Sequence, residues 1–269
     1  MITQRELNVW PMYCMRDGGV ANAGSAGAAR PKGARRRARI FGVATAVALV
    51  CGLCYWLHLR SLEASLVREW PADLAHDSRM MRFAVSLARP VYARHCASCH
   101  GANLRGDHRT GAPDLADSVW LYGDGGIGDI ENTILYGVRS GHPKAHNVTD
   151  MPAEGRVHQL SAPEVDDVVE FVLALSRQPH VETAAERGRK LFYEKGNCFD
   201  CHAGDAMGNT DYGAPPLLGP KWNYGGDRQT LRNTIYSGRH GRCPAWISVL
   251  TPPQIRALAV YLYAESRAP

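Results

Sequence analysis

Cys96-Ala97-Ser98-Cys99-His100 and Cys198-Phe199-Asp200-Cys201-His202 are two copies of one pattern, Cys-x-x-Cys-His. In that pattern the two thiols add across the vinyl groups of haem as thioethers, and the adjoining histidine reaches the iron from one face. Zinc knuckles and disulfides also use Cys-x-x-Cys pairs, but neither needs a histidine directly after the second thiol. The two copies predict two covalently attached haems c, one on Cys96, Cys99 and His100, the other on Cys198, Cys201 and His202.

The copies sit in an internal repeat. At an offset of 102 residues Gly111-Ala112-Pro113 meets Gly213-Ala214-Pro215, Trp120 meets Trp222, and Tyr122-Gly123 meets Tyr224-Gly225. At 101 residues Asn132-Thr133-Ile134 meets Asn233-Thr234-Ile235, and Gly137 meets Gly238. The offset falls to 92 where Met151-Pro152-Ala153 meets Cys243-Pro244-Ala245, so the first copy carries a nine-residue insertion. Each copy closes with a helix start of capping-box form, Ser161-Ala162-Pro163-Glu164 and Thr251-Pro252-Pro253-Gln254. Behind these, Val165, Val168, Val169, Val172 and Ile255, Leu258, Ala259, Leu262 recur at helical spacing and predict one buried stripe per helix. Shorter helices are expected before each motif, over 78–95 and 184–195. The chain is thus expected to be all-α, with tandem domains at 78–178 and 183–269. Cores that small are marginal alone, and an apolar haem face would complete them.

On these residues each half resembles a class I cytochrome c domain, and the tandem resembles the dihaem subunit III of cbb(3)-type cytochrome c oxidase. The resemblance rests on the Cys-x-x-Cys-His pairs, the Gly-Ala-Pro-x-Leu segments, Trp120-Leu121-Tyr122-Gly123, the Asn-Thr-Ile helices and Met151-Pro152-Ala153. It implies that Pro113 and Pro215 offer their carbonyls to the free ring N–H of His100 and His202, fixing ring orientation. It also implies single-electron transfer in a respiratory chain toward a haem-copper terminal oxidase, whose other subunits, or a separate electron donor, would be the partners. A free-standing tethered shuttle is an alternative. So is an enzyme resembling the thiosulfate dehydrogenases, which pair a His/Met haem with a catalytic His/Cys haem.

The copies part at the sixth iron ligand. Met151 is expected to serve the first haem, where a thioether opposite histidine raises the potential, with His142 and His146 of the insertion as rivals. At the matching position of the second copy stands Cys243, which departs from the family pattern. Cys243 as a thiolate, His240 three residues earlier, an open five-coordinate site and the remote Met207 are the alternatives for the second haem.

Upstream, Ile40 to Leu57 forms one apolar run long enough to cross a bilayer, with Tyr55 and Trp56 at its outer end. Lys32, Arg35, Arg36, Arg37 and Arg39 precede it. A transmembrane anchor is therefore expected over 39–60 in the bacterial cytoplasmic membrane, with a disordered cytoplasmic tail at 1–38 and the haem domains in the periplasm. A cleaved signal peptide is the competing reading, and Met12 or Met15 are alternative starts. Cys14, Cys51 and Cys54 lack a following histidine and are expected to be plain thiols.

Charge divides along the same boundary. Residues 1–60 carry nine Lys or Arg against two Asp or Glu, a net of +7; with +5 for the whole chain, the remainder stands at −2. The basic excess is a topology signal and a contact for anionic lipid, and offers no case for nucleic-acid binding. Four of the eight cysteines are consumed by haem, so the cysteine count does not imply a disulfide framework.

Overall fold

The computed structural model describes residues 32–147, 150–157, 159–219 and 221–268. Most of the expected tail, with Cys14, Met12 and Met15, lies outside them. Helix α1 runs Lys32–Arg68, starting earlier and ending later than the apolar run by itself suggested. Among the described residues it is the one helix long and apolar enough to cross a membrane, over Arg39–Arg68. Over Ile40–Leu57 its large apolar side chains, Phe41, Leu49, Leu53 and Trp56 among them, are exposed, whereas Leu66 near its end is buried.

From Tyr55 onward the chain forms one compact unit of helices and loops, with isolated β-bridges and no strands among the described residues. After α2 (Pro71–Leu74) comes α3 (Ser78–His95), whose cap Asp77 accepts from the Arg79 and Met80 amides at 2.9 Å. The first motif forms the single turn α4 (Ala97–His100), followed by α5 (Ile127–Tyr136) and α6 (Ala162–Leu175). The second repeat supplies α7 (Glu182–Tyr193), α8 (Phe199–His202), α9 (Arg228–Ser237) and α10 (Pro252–Glu265). Both capping boxes form, and both predicted stripes are buried, from Val165 at 0% to Leu262 at 7% exposure.

The pairing of helices crosses the expected division into 78–178 and 183–269. Helix α10 packs on α3 and α5 of the first repeat, and α6 packs on α7 and α9 of the second. One core joins Met80, Ala84, Tyr92, Ile127 and Ile130 to Ile255, Leu258 and Tyr261. The other joins Leu160, Val165, Val168 and Phe171 to Phe192, Leu231 and Ile235. Tyr92 meets Tyr261 edge-on at 5.8 Å between ring centroids, and Phe171 meets Phe192 at 5.3 Å. The physical reason lies in the connection: residues 176–181 are a short link that folds α6 back onto the next helix, α7. That leaves the α3–α5 face to be covered by α10. Arg256 at the start of α10 fixes this arrangement, with Nε 2.8 Å from Glu131 Oε2 on α5 and Nη1 donating to Glu69 O at 2.8 Å and Leu66 O at 3.3 Å.

Candidate haem sites

Each motif is presented in the same way. Helix α3 ends at Cys96, the turn α4 carries His100, and Gly101 at φ +76° reverses the chain. In the second repeat α8 carries His202 and Ala203 reverses the chain at φ +64°. The loop then folds back beneath the histidine. Gly106 N donates to His100 O at 2.9 Å and Leu115 N to Leu104 O at 2.7 Å; Gly208 N donates to His202 O at 3.0 Å and Leu217 N to Ala206 O at 2.8 Å. This return places Pro113 O 3.1 Å from His100 Nδ1 and Pro215 O 3.0 Å from His202 Nδ1. A carbonyl only accepts, so Nδ1 carries the proton and Nε2 keeps its lone pair for a metal. Burial pulls both imidazoles below the usual histidine range, outweighing the proline carbonyls, and so favours the neutral form that ligation needs.

Burial favours the neutral thiol at Cys96, Cys198 and Cys201. Burial pushes Cys198 up to about 12 and Cys96 up to about 11, and it also raises Cys201. All seven cysteines among the described residues are free. No group of three or more His, Cys, Asp or Glu converges on a metal position there. The donor set of two thiols and one imidazole suits an iron that arrives already held by four porphyrin nitrogens.

The structure places Met151 beside the second motif, whereas the sequence reading pairs it with the first haem. Met151 packs against the core that holds Cys198 and lines the apolar cavity of Cys198, Cys201, His202, Pro215 and Trp222. Its backbone pairs with Arg239, Met151 N to Arg239 O at 3.2 Å and Arg239 N to Met151 O at 3.1 Å. Cys243 is the mirror case. It pairs with Val138 of the first repeat, and its thiol, pushed up to about 11 by burial and further by Cys99, lies within the field of the first motif. The reciprocal effect of Cys243 is felt at Cys96. The repeats thus exchange these segments, as they exchange their last helices.

The rival donors are engaged elsewhere. His240 is exposed, with Nδ1 3.1 Å from Asp150 Oδ2, and Met207 is 59% exposed. His142 stacks on Tyr136 at 4.9 Å; His146 stacks on Tyr122 at 4.1 Å with Nε2 3.2 Å from Thr133 Oγ1.

Three features of the site were not anticipated. Gly111 lies against the Tyr224 ring and Gly213 against the Tyr122 ring, so tightly that any side chain there would strike the aromatic group of the other repeat. Arg239 stacks over Tyr224 at 4.0 Å and hydrogen-bonds Thr234, beside the cavity. Glu154 is 8% exposed, lines the cavity, and leaves Oε2 without a hydrogen-bond partner. The repeat alignment could have signalled Glu154, because at the same offset of 92 the second copy has Trp246.

The residues fit a covalent haem at both motifs. Each offers two thiols, a histidine oriented through Nδ1 and a sulfur donor brought from the other repeat, and the second offers an apolar cavity as well.

Comparison with known proteins agrees with this geometry. Residues 85–176 match the cytochrome c family, and residues 183–262 match the family of cytochrome c oxidase, cbb3-type, subunit III. The chain is 40% identical over 202 residues to the cbb3-type cytochrome c oxidase subunit FixP of Bradyrhizobium sp. (strain ORS 278), covering 75% of this chain and 68% of the relative. It is 38% identical over 197 residues to the subunit CcoP of Azospirillum brasilense, covering 71% and 65%, and 35% identical over 203 residues to CcoP of Cereibacter sphaeroides, covering 76% and 68%.

Proposed function

The chain belongs to the cbb3-type cytochrome c oxidase subunit III family, and on that premise we propose that it is a membrane-anchored dihaem cytochrome feeding electrons to the other subunits of such an oxidase. The carrying observation is the second site, where the Cys198/Cys201 pair, His202 oriented by Pro215, and Met151 surround one apolar cavity. A haem c group bound there supplies a one-electron iron couple, and a His/Met pair sets it at the high end of the range. Cys198 and Cys201 would tether the group, His202 and Met151 would ligate its iron, and Trp222, Leu231 and Ile235 would exclude water. At the first site Cys96, Cys99, His100 and Pro113 repeat these roles. Oxygen chemistry belongs to another subunit. The relatives support this reading over the thiosulfate-oxidising alternative.

The topology follows from charge. The arginines before Ile40 hold the N-terminal side in the cytoplasm, and the unit after Arg60 stands in the periplasm, where haem c is attached.

The test is haem stoichiometry on the full chain purified from membranes. Two haems per chain should survive acid-acetone extraction, Cys198→Ala/Cys201→Ala should leave one, and oxidase subunits should co-purify. One haem in the wild type overturns the dihaem reading.

A further inference from the structure

The two sixth-ligand positions carry different sulfur chemistry, a thioether and a thiol, and the fold sends each to the opposite repeat. We propose that Cys243, as a thiolate, is the sixth ligand of the iron held by His100, which makes the first centre the low-potential one and directs electrons from it toward the second. This deepens the reading of the chain as a dihaem cytochrome and rests on it.

Three sets of contacts place Cys243 over the first motif as Met151 is placed over the second. The first is the bridge itself: Val138 N donates to Cys243 O at 2.9 Å and Cys243 N to Val138 O at 3.0 Å. The second is a glycine cradle. Gly137 at φ +75° packs directly under the Cys243 and Pro244 carbonyls, and Gly238 at φ +69° packs in the same way under Met151 and Pro152. The third is the following residue pair, where Trp246 N donates to Ile134 O at 3.1 Å and Glu154 N to Ile235 O at 3.1 Å. Trp246 also meets His95, next to Cys96, at 5.2 Å between ring centroids. Cys243 therefore occupies, at the first motif, the place that Met151 occupies at the second. His240, His142 and His146 are bound to other partners.

Ligation is balanced without an external oxidant. The Sγ–H bond of Cys243 breaks, its proton passes to water, and a sulfur-to-iron(III) bond forms with the iron oxidation state unchanged. A thiolate donates electron density and favours the ferric state, whereas the Met151 thioether favours the ferrous state. An electron shared by the two centres therefore rests on the second.

The test uses electron paramagnetic resonance and redox titration of the oxidised full chain. A thiolate-type low-spin signal is expected in the wild type and in Cys198→Ala/Cys201→Ala. It should vanish in Cys243→Met and in Cys96→Ala/Cys99→Ala. Cys243→Met should shift the reduced-to-oxidised ratio of the first centre at fixed potential at least tenfold, which is ~59 mV for one electron. His100→Gly and His202→Gly, which keep both thioether pairs, give the second check: only the former should change the thiolate signal. A signal lost with Cys198 and Cys201 but kept without Cys96 and Cys99, or its absence from a chain holding two haems, overturns the proposal. A chain holding one haem overturns instead the dihaem reading beneath it.

Discussion

Val138 and Cys243, one from each repeat, exchange both of their backbone hydrogen bonds, and Arg239 and Met151 do the same in the opposite sense. These two bridges cross the boundary that a contiguous two-domain chain would leave open. They carry the effect of a mutation in one repeat to the motif of the other.

Gly238 lies at φ +69° and ψ 179°, a region reserved for glycine, and a methyl group there would strike the Met151 carbonyl oxygen. Gly238→Ala is expected to destabilise the protein by roughly 1–3 kcal/mol from backbone strain alone. It should weaken the methionine-to-iron absorption of the second centre. Denaturant unfolding followed at that band checks both effects, and an unchanged band argues against Met151 as ligand.

Leu258 lies in the second repeat but is buried in the first core, 1% exposed. Leu258→Ala should cost about 2–5 kcal/mol, in line with other cavity-forming core changes. The loss should appear first at the haem on Cys96 and Cys99, as earlier loss of its spectral signature on heating. Val168→Ala should act on the other haem by the same route.

The Arg256–Glu131 pair is nearly buried, with side chains 11% and 17% exposed. Removing one partner strands the other charge, so Arg256→Leu should destabilise by about 3–5 kcal/mol, while the double change with Glu131→Leu should recover much of that. A double-mutant cycle in high salt measures the coupling, which should persist because the pair is shielded from solvent ions.

Glu154 is held above the usual carboxylate range by burial. Because its folded pKa is raised, it favours folding below the ordinary glutamate value of 4.5, and that advantage is lost as pH climbs through the raised value. Glu154→Gln should therefore be more stable than wild type at neutral pH, with the gap closing in acid. Thermal unfolding across pH decides this, and a constant gap would show that the carboxyl is not desolvated.

Much of the fold was legible in the sequence. The two capping boxes marked helix starts that the structure reproduces, and the Val165/Val168 and Ile255/Leu258 stripes are core. The histidine–proline contacts expected from the family pattern are present at 3.1 and 3.0 Å. What the sequence did not disclose was which stripe meets which partner. Both stripes are aliphatic, of equal length and similarly capped, so periodicity serves either pairing equally well. The choice follows from the short link between α6 and α7 and from the reach of Arg256, long-range facts with no local pattern. Which motif Met151 lies beside was hidden for the same reason, since alignment of repeats says which residues are equivalent and not which surface they cover.

The clasp between Arg256 and the carbonyls of Leu66 and Glu69 has a consequence for biosynthesis. Helix α10 closes the core begun at Leu66, 190 residues before Arg256, so the first lobe stays open until α10 has been made. Its contacts are among the most distant in sequence, the kind that form slowly. The second lobe has α6 in place before α7 to α9 emerge and can mature as they do. Until α10 is in place Cys96, which packs against the first core, stays uncovered and open to modification.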